Sequence, residues 1–177
     1  MTKRRTGLGV FLRTILAWDF FVALVAALVL LAVLLVTDRD LVGAGAISAA
    51  AIPFGMAACA TNVVSLRWVS DRLKGTVYGE IVRYGDRDES VVSLPYLIVA
   101  VAGALTSIVG IIGYATDGEL PRAATAIVYS TLLGLGAYSV LGTLSLFRMS
   151  VDHQRRAARL QSVEDELQRI AREDGER

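Results

Sequence analysis

The sequence predicts an all-α integral membrane protein, a bundle of four transmembrane helices in two hairpins with an extended cytoplasmic C-terminal helix. Three observations support this fold class. Apolar residues make up 54% of the 177 residues and charged residues only 20%, with a mean hydropathy of +0.54. Charged residues are almost absent from four long stretches, each of a length that spans a bilayer. The basic residues are concentrated in the segments on one side of these stretches, which gives the predicted topology a direction.

Four apolar segments define the predicted helices. They run over Ile15–Val36, Leu41–Leu66, Val91–Ala115 and Ala123–Phe147. At about 1.5 Å per residue, each crosses a hydrocarbon core of roughly 30 Å. A barrel would need many short strands of alternating polarity, which the sequence lacks. The first apolar run is also too long for a cleaved signal peptide, so we expect it to remain as a membrane helix.

The basic residues predict which side each segment occupies. The chain divides into a basic N-terminus (1–14), a first hairpin (15–66), a link (67–90), a second hairpin (91–147) and a tail (148–177). All but two of the 18 Lys and Arg residues lie in the N-terminus, the link and the tail; the exceptions are Arg39 and Arg122. Because cationic segments are retained in the cytoplasm, both termini and the link are predicted to be cytoplasmic in a multi-pass protein of the plasma membrane.

The two predicted hairpins have similar outer turns. Residues 37–41 read Thr-Asp-Arg-Asp-Leu and residues 116–120 read Thr-Asp-Gly-Glu-Leu, roughly 80 residues further along. A tandem duplication, with both halves in the same orientation, would explain the similarity. The alternative is that Thr and Asp are favoured at helix ends in any protein. The sequence leaves both explanations open.

The link and the tail carry the remaining predicted structure. The link fits either a short interfacial helix or a small hairpin. The tail has no proline, so we expect the fourth helix to continue into it. An apolar seam in the tail follows a heptad spacing and consists of Leu160, Val163, Leu167 and Ile170. This seam predicts either self-association through a short coiled coil or an amphipathic helix folded against the link.

Small and polar residues form stripes along the second and fourth segments. Within these stripes the candidate functional residues are Ser48, Gly55, Asn62, Ser130, Gly134, Tyr138 and Gly142, with Pro53 as the predicted site of a kink. Such residues allow close helix packing, and they also fit a polar path through a channel. The first segment consists mostly of large aliphatic residues and alanine, so we expect it to face lipid most.

Asp19 is the only acidic residue in any of the four segments. An intramembrane carboxylate is a functional candidate because charge is costly in a bilayer. Asp19 lies about one turn from the cytoplasmic end of its segment, where water is within reach. We therefore expect either interfacial anchoring or a cation-attracting group at an inner mouth, paired with Arg13 or a link arginine.

The remaining sequence excludes several functions. The single histidine, His153, and the single cysteine, Cys59, lie far apart, so a metal site or an activated thiol is not predicted. Helices two to four have no charged residue, which argues against a coupled carrier. A net charge of +1 gives no case for nucleic-acid binding. We expect no enzyme activity and no cofactor.

Two functional hypotheses remain after these exclusions. The first is a homo-oligomeric membrane pore for ions or small solutes, because several four-helix protomers could together enclose a conduit. The alternative is a non-catalytic membrane scaffold or accessory subunit, which recruits a cytoplasmic protein partner through its link and tail. Both hypotheses place the chain in a lipid bilayer.

Overall fold

The computed structural model describes residues 18–37, 44–73 and 90–175. Within these ranges 94% of the residues are helical and none lies in a strand. The four helices are α1 (Trp18–Val36), α2 (Ala44–Leu73), α3 (Ser90–Ala115) and α4 (Arg122–Gly175). All four are long and apolar enough to cross a membrane, as the sequence predicts. The predicted N-terminus 1–14, residues 74–89 of the predicted link and residues 38–43 of the first outer turn lie outside the described residues.

Two helices extend beyond the apolar segments that predict them. α2 continues past Leu66 to Leu73, and in this extension Val69 is buried against the core. The Arg67 guanidinium lies 3.9 Å from the Asp71 carboxylate, one helical turn away on the exposed side. α4 has 54 residues and runs without a break through most of the tail. The prediction that the fourth helix continues beyond its apolar segment is therefore confirmed.

The helices form a three-helix core with a fourth helix at its side. α2 and α3 share the most extensive contact, and α4 packs against both of them. α1 lies along α4 and has at most a marginal contact with α2 or α3. Only 6% of α1 is buried, so it is the least covered of the four helices, as expected from its large aliphatic residues. The first two helices are therefore consecutive in sequence but are not a packed pair.

Contacts between helix ends define two ends of the bundle. At the turn end, the Arg122 guanidinium donates hydrogen bonds to the carbonyl oxygens of Leu34 (3.2 Å) and Thr37 at the end of α1. At the tail end, the Ser145 hydroxyl donates a 2.6 Å hydrogen bond to the Asp19 carboxylate at the start of α1. α1 and α4 are thus antiparallel, and the last part of α4 extends beyond the tail end.

The turn between α3 and α4 has a clear local cause. Gly118 has a φ of 80°, a conformation that side chains with a Cβ rarely adopt. The Glu119 amide donates to the Thr116 carbonyl at 3.1 Å and closes the turn. Pro121 then precedes α4, where its missing amide hydrogen leaves no helical bond unmade. The chain therefore reverses within a few residues.

The helix ends before the two outer turns also share a local contact. The Thr37 hydroxyl donates to the Val33 carbonyl, and the Thr116 hydroxyl donates to the Ile112 carbonyl. A common capping role therefore explains the repeated threonine without shared ancestry. A twofold repeat would pair α1 with α4 and α3 with α2, which occurs, but it would also pair α1 with α2 as closely as α3 with α4. The contact between α1 and α2 is at most marginal, and the duplication stays a prediction.

Candidate functional site

The predicted stripe on α2 lies in the contact between α2 and α3. A Cβ added to Gly55 would lie 2.5 Å from the Ser107 hydroxyl oxygen and 2.7 Å from the Ser107 amide nitrogen. A Cβ added to Gly103 would lie 2.8 Å from the Cys59 amide nitrogen. The two helix backbones are therefore close enough that only glycine fits at these positions. Membrane helices commonly use small residues for this purpose, since van der Waals packing replaces the hydrophobic effect.

Polar side chains of α2 bind partners on α4 across the core. Ser48 is fully buried, and its hydroxyl donates a 3.1 Å hydrogen bond to the Tyr129 hydroxyl. The Asn62 amide donates to the Thr143 hydroxyl at 2.9 Å and to the Ala58 carbonyl at 2.8 Å. These contacts satisfy the amide and hydroxyls within one protomer, and none of them requires a solute. In hydrocarbon such interhelical bonds stabilise packing by about 0.6 kcal/mol on average.

The predicted stripe on α4 packs mainly against α1. A Cβ added to Gly134 would lie 3.0 Å from the Ala27 Cβ, so this glycine marks a close approach of the two helices. The Tyr138 ring contacts the Phe20 ring edge-on, with 6.1 Å between the ring centroids. Gly142 faces α3 instead, where an added Cβ would lie 2.6 Å from the Val99 side chain. The stripe on α4 therefore contacts both α1 and α3.

Ser130 differs from the other residues of the α4 stripe. It is 4% exposed, and its hydroxyl has no hydrogen-bond partner among the described residues. By contrast, the Ser139 hydroxyl donates to the Leu135 carbonyl at 2.8 Å, and the Thr143 hydroxyl donates to the Ser139 carbonyl at 2.6 Å. Ser130 lines a groove of about 510 Å³ between α1, α3 and α4.

The outward faces of the described helices are apolar. Pro53 lies inside α2 on its exposed side, so it takes no part in the buried contact between α2 and α3. Large hydrophobic residues cover the exposed sides of α1 and α3, and those of α3 include Leu97, Val101, Leu105, Ile108, Ile111 and Ile112. These surfaces suit contact with lipid or with another apolar helix.

Asp19 has a partner other than those predicted from the sequence. Its carboxylate accepts the hydrogen bond from Ser145 on α4 at the tail end of the bundle. Arg13, one of its predicted partners, lies outside the described residues. Trp18 next to it is 80% exposed, as expected for an aromatic residue at the level of lipid headgroups. The contact between Asp19 and Ser145 fixes the start of α1 against α4.

The apolar seam of the tail lies on the exposed part of α4. Val163, Leu167 and Ile170 are 54%, 63% and 48% exposed, while Leu160 is half-buried. Arg169 and Glu173 form a 3.3 Å ion pair on the same part of the helix. Large apolar side chains that recur on one face of an exposed helix are typical of a surface that binds another helix.

Sequence reasoning missed the partners of the predicted polar residues. Neither Tyr129 nor Thr143 stands out in the sequence, since hydroxyl residues are common in α4. Each lies 81 residues from its partner, Ser48 or Asn62, which is close to the spacing of the two outer turns. The outer turns are 79 residues apart, so aligning the two halves at that spacing pairs Ser48 with Ile127 and Asn62 with Leu141, and neither partner is found.

In the described part of the chain, fold and contacts together define four helices of membrane-spanning length and composition. Comparison with known proteins gives no match to a family model, to a curated protein or to a solved structure.

Proposed function

We propose that this protein is a non-catalytic membrane scaffold, in which the projecting part of α4 assembles with a second copy of the chain on the cytoplasmic side. The observation that carries the proposal is the exposed apolar seam on a single unbroken helix. Beyond Phe147, α4 continues for roughly 28 residues, or about 42 Å. Such a projection leaves apolar side chains exposed to water, which is unfavourable, and binding to another helix would bury them.

The orientation in the proposal comes from the positive charges. Among the described residues, the basic side chains beyond the apolar cores cluster at the tail end, from Arg67 on α2 and from Arg148 onwards on α4. Arg122 is the exception at the turn end. The positive-inside rule therefore favours a plasma membrane protein whose tail end faces the cytoplasm.

A second copy is the partner that the geometry favours. Two copies inserted in the same direction have tails that project from the same membrane face, so their helices meet in parallel. By sequence, heptad positions flanking the seam carry Arg159 and Glu164, and opposite charges at these positions attract across a parallel pair. The seam is short, so the membrane helices contribute by confining both copies to one plane.

The pore hypothesis has less support from the geometry. Five of the residues predicted to line a conduit lie in helix contacts within the protomer: Ser48, Gly55, Asn62, Gly134 and Gly142. Two others, Ser130 and Tyr138, line the groove between α1, α3 and α4. The faces left for contact between protomers are apolar, and a ring built from them would lack hydrogen-bonding groups for a hydrated solute. We therefore propose the scaffold in preference to the pore.

A pair of variants of the full chain tests the seam. Val163→Asp with Leu167→Asp places two carboxylates on the seam, whereas Gln161→Asp with Ser162→Asp adds the same charge beside it. Light scattering in mild detergent and cross-linking in native membranes measure the number of copies per particle. We expect the parent and the control to form a dimer or larger particle, and the seam variant to fall to the monomer.

Two outcomes would contradict the proposal. Equal particle size in the parent, the seam variant and the control variant would show that the seam is not the assembly surface. Ion or solute flux through liposomes that contain the purified parent, at rates well above those of protein-free liposomes, would favour the pore hypothesis over the scaffold. Bundle folding is checked separately by helical circular dichroism, which we expect to stay unchanged because the seam residues are exposed.

A further inference from the structure

Arginines form an exposed basic surface at the base of the tail (148–159), where α4 leaves its apolar segment. Arg148, Arg155 and Arg159 follow one another at steps of seven and four residues, so they lie on one face of the helix. All three are exposed. The ion pairs between described side chains involve Arg67 and Arg169, and none involves these three arginines. The surface therefore presents three positive charges that no described carboxylate neutralises.

The charge of the tail changes sign along its length. Residues 148–159 contain four arginines and one acidic residue, Asp152, whereas residues 160–175 contain two arginines and five acidic residues. A long acidic partner that lay along the whole tail, such as a nucleic acid, would be attracted by the first part and repelled by the second. The partner that fits is therefore acidic and confined to the base of the tail.

Aromatic residues and a contact between helices indicate the level of the membrane surface. Trp18 is 80% exposed and Phe147 is 68% exposed. Asp19, next to Trp18, accepts the hydrogen bond from Ser145, so these groups lie at one level of the bundle. Tryptophan is enriched at the level of lipid headgroups. Arg148 is one helical turn beyond Ser145, which puts it in the headgroup layer of a bilayer that the apolar helices cross.

Distance from the headgroups gives each arginine a different expected weight. The headgroup layer is about 5–8 Å thick on each side of a bilayer. Arg155 and Arg159 lie about 11 Å and about 17 Å beyond Arg148 along the helix axis. The surface potential of acidic lipids decays over about 8–10 Å at physiological ionic strength. The long side chain of Arg155 still reaches this region, whereas Arg169, about 32 Å beyond Arg148, does not.

We propose that the base of the tail binds acidic phospholipids, whose phosphate oxygens accept hydrogen bonds from the guanidinium groups of Arg148 and Arg155. A guanidinium group donates in a planar fork that matches two phosphate oxygens. Acidic lipids fit better than an acidic protein segment because their headgroups already lie at the level of Arg148, so no partner has to be brought from solution. The inference rests on membrane insertion, which the proposed scaffold shares, and not on assembly of the tails.

The two tryptophans of the chain serve as internal probes of the site. Trp18 begins α1 and Trp68 lies near the end of α2, so both are at the tail end of the bundle. The full chain is placed in phosphatidylcholine nanodiscs with increasing fractions of brominated phosphatidylglycerol or brominated phosphatidylcholine. Bromine quenches tryptophan fluorescence on contact, so the ratio of the two quenching curves measures the preference of the tail end for the acidic lipid.

Two matched variants locate that preference. Arg148→Gln with Arg155→Gln removes two charges from the base of the tail, and Arg169→Gln with Arg172→Gln removes the same charge from its distal part. All four side chains are exposed, so we expect helical circular dichroism to stay unchanged. Arg159 is kept in both variants because it also flanks the tail seam.

We expect the parent to prefer phosphatidylglycerol about five- to tenfold, because each arginine near the surface strengthens the attraction about fivefold. The preference should fall at least threefold in the variant of Arg148 and Arg155 and stay unchanged in the distal variant. Raising NaCl to about 0.5 M should lower it in the parent.

Three outcomes would overturn the proposal. Equal quenching by the two brominated lipids in the parent would leave the arginines as determinants of membrane orientation alone. An equal fall in both variants would make the total charge of the tail responsible, and not its base. Binding of soluble polyglutamate to the parent in pure phosphatidylcholine, without a preference for phosphatidylglycerol, would assign the surface to an acidic protein. Weak quenching by both lipids would instead contradict membrane insertion itself, and with it the proposed scaffold.

Discussion

Helix packing differs between two contacts of the bundle, the seam between α2 and α3 and the seam between α1 and α4, neither of which includes the apolar seam of the tail. In the first, glycines bring backbone against backbone: a Cβ added to Gly103 would lie 2.9 Å from the Gly55 carbonyl oxygen. In the second, the close approach at Gly134 is to a side chain, the Ala27 methyl group. The first seam is continuous, while the second leaves the groove beside it.

The burial of the helices does not follow their hydrophobicity. α1 is the most apolar of the four and yet the least buried, with Ala23 as its one buried residue. α3 is less apolar, and half of it is buried. In a bilayer, apolar side chains gain little by leaving lipid for protein, so close backbone approach and polar contacts decide which helices pack. The comparison therefore predicts that substitutions on the two seams differ in cost.

Gly55→Ala has the largest expected effect. The added methyl group would meet the α3 backbone at Gly103 and Ser107, which a side-chain rotation cannot relieve. We expect a loss of about 2–3 kcal/mol in the free energy of unfolding, the upper part of the range for overpacked cores. Reversible unfolding in mixed detergent micelles, followed by circular dichroism, measures it.

Two glycines of α4 serve as matched controls for that prediction. Gly134→Ala places its methyl group 3.0 Å from the Ala27 methyl group and 3.7 Å from the Ala23 carbonyl oxygen, and α1 can shift, so its cost should be smaller than that of Gly55→Ala. Gly136→Ala has the Phe54 ring at 3.9 Å as its neighbour and should be neutral or slightly stabilising. If Gly136→Ala lowered the free energy of unfolding as much as Gly55→Ala does, helix flexibility, rather than the close contact between α2 and α3, would explain the loss.

Arg122→Ala should have a smaller and more local effect, confined to α1. The Arg122 guanidinium binds the Leu34 and Thr37 carbonyls at the end of α1, and carbonyl groups at helix ends generally need partners from outside the helix. Losing these bonds should cost about 1 kcal/mol and fray that turn. Hydrogen exchange of residues 30–37 should become faster, while exchange in α3 stays unchanged.

Arg67→Ala is the control for the Arg122 substitution. Arg67 pairs with Asp71 on the exposed side of α2, and surface pairs of this kind contribute little. We expect no change in the exchange of α1. If Arg67→Ala accelerates the last turn of α1 as much as Arg122→Ala does, the loss of positive charge, and not the contact with α1, is responsible.

The sequence was sufficient for the four helices because hydropathy and length depend on the chain alone. It also predicted that α4 continues beyond its apolar segment, since no proline interrupts it. It could not predict that α1 packs on α4 rather than on α2, because that choice depends on which small residues face each other in three dimensions. For the same reason Ser48 and Asn62 were recognised as candidates, while their partners Tyr129 and Thr143 were not.

Asp19→Asn should lower the free energy of unfolding less than Gly55→Ala or Arg122→Ala does. The Asp19 carboxylate accepts a 2.6 Å hydrogen bond from Ser145, and an asparagine side chain at the same place keeps an oxygen that can accept it. The contact lies at the exposed tail end, where water competes for both groups. We expect a loss of about 0.5 kcal/mol or less, the lower limit for a hydrogen bond.

Asp19→Asn also separates an anchoring role from a functional one. Ser145→Ala breaks the same hydrogen bond but keeps the charge of Asp19, so a purely structural contact gives both variants similar unfolding free energies and the same particle size as the parent. A change in assembly or in liposome flux that appears in Asp19→Asn alone would show that the negative charge itself is needed. In that case the end of α1, and not only the tail of α4, would belong to the functional surface.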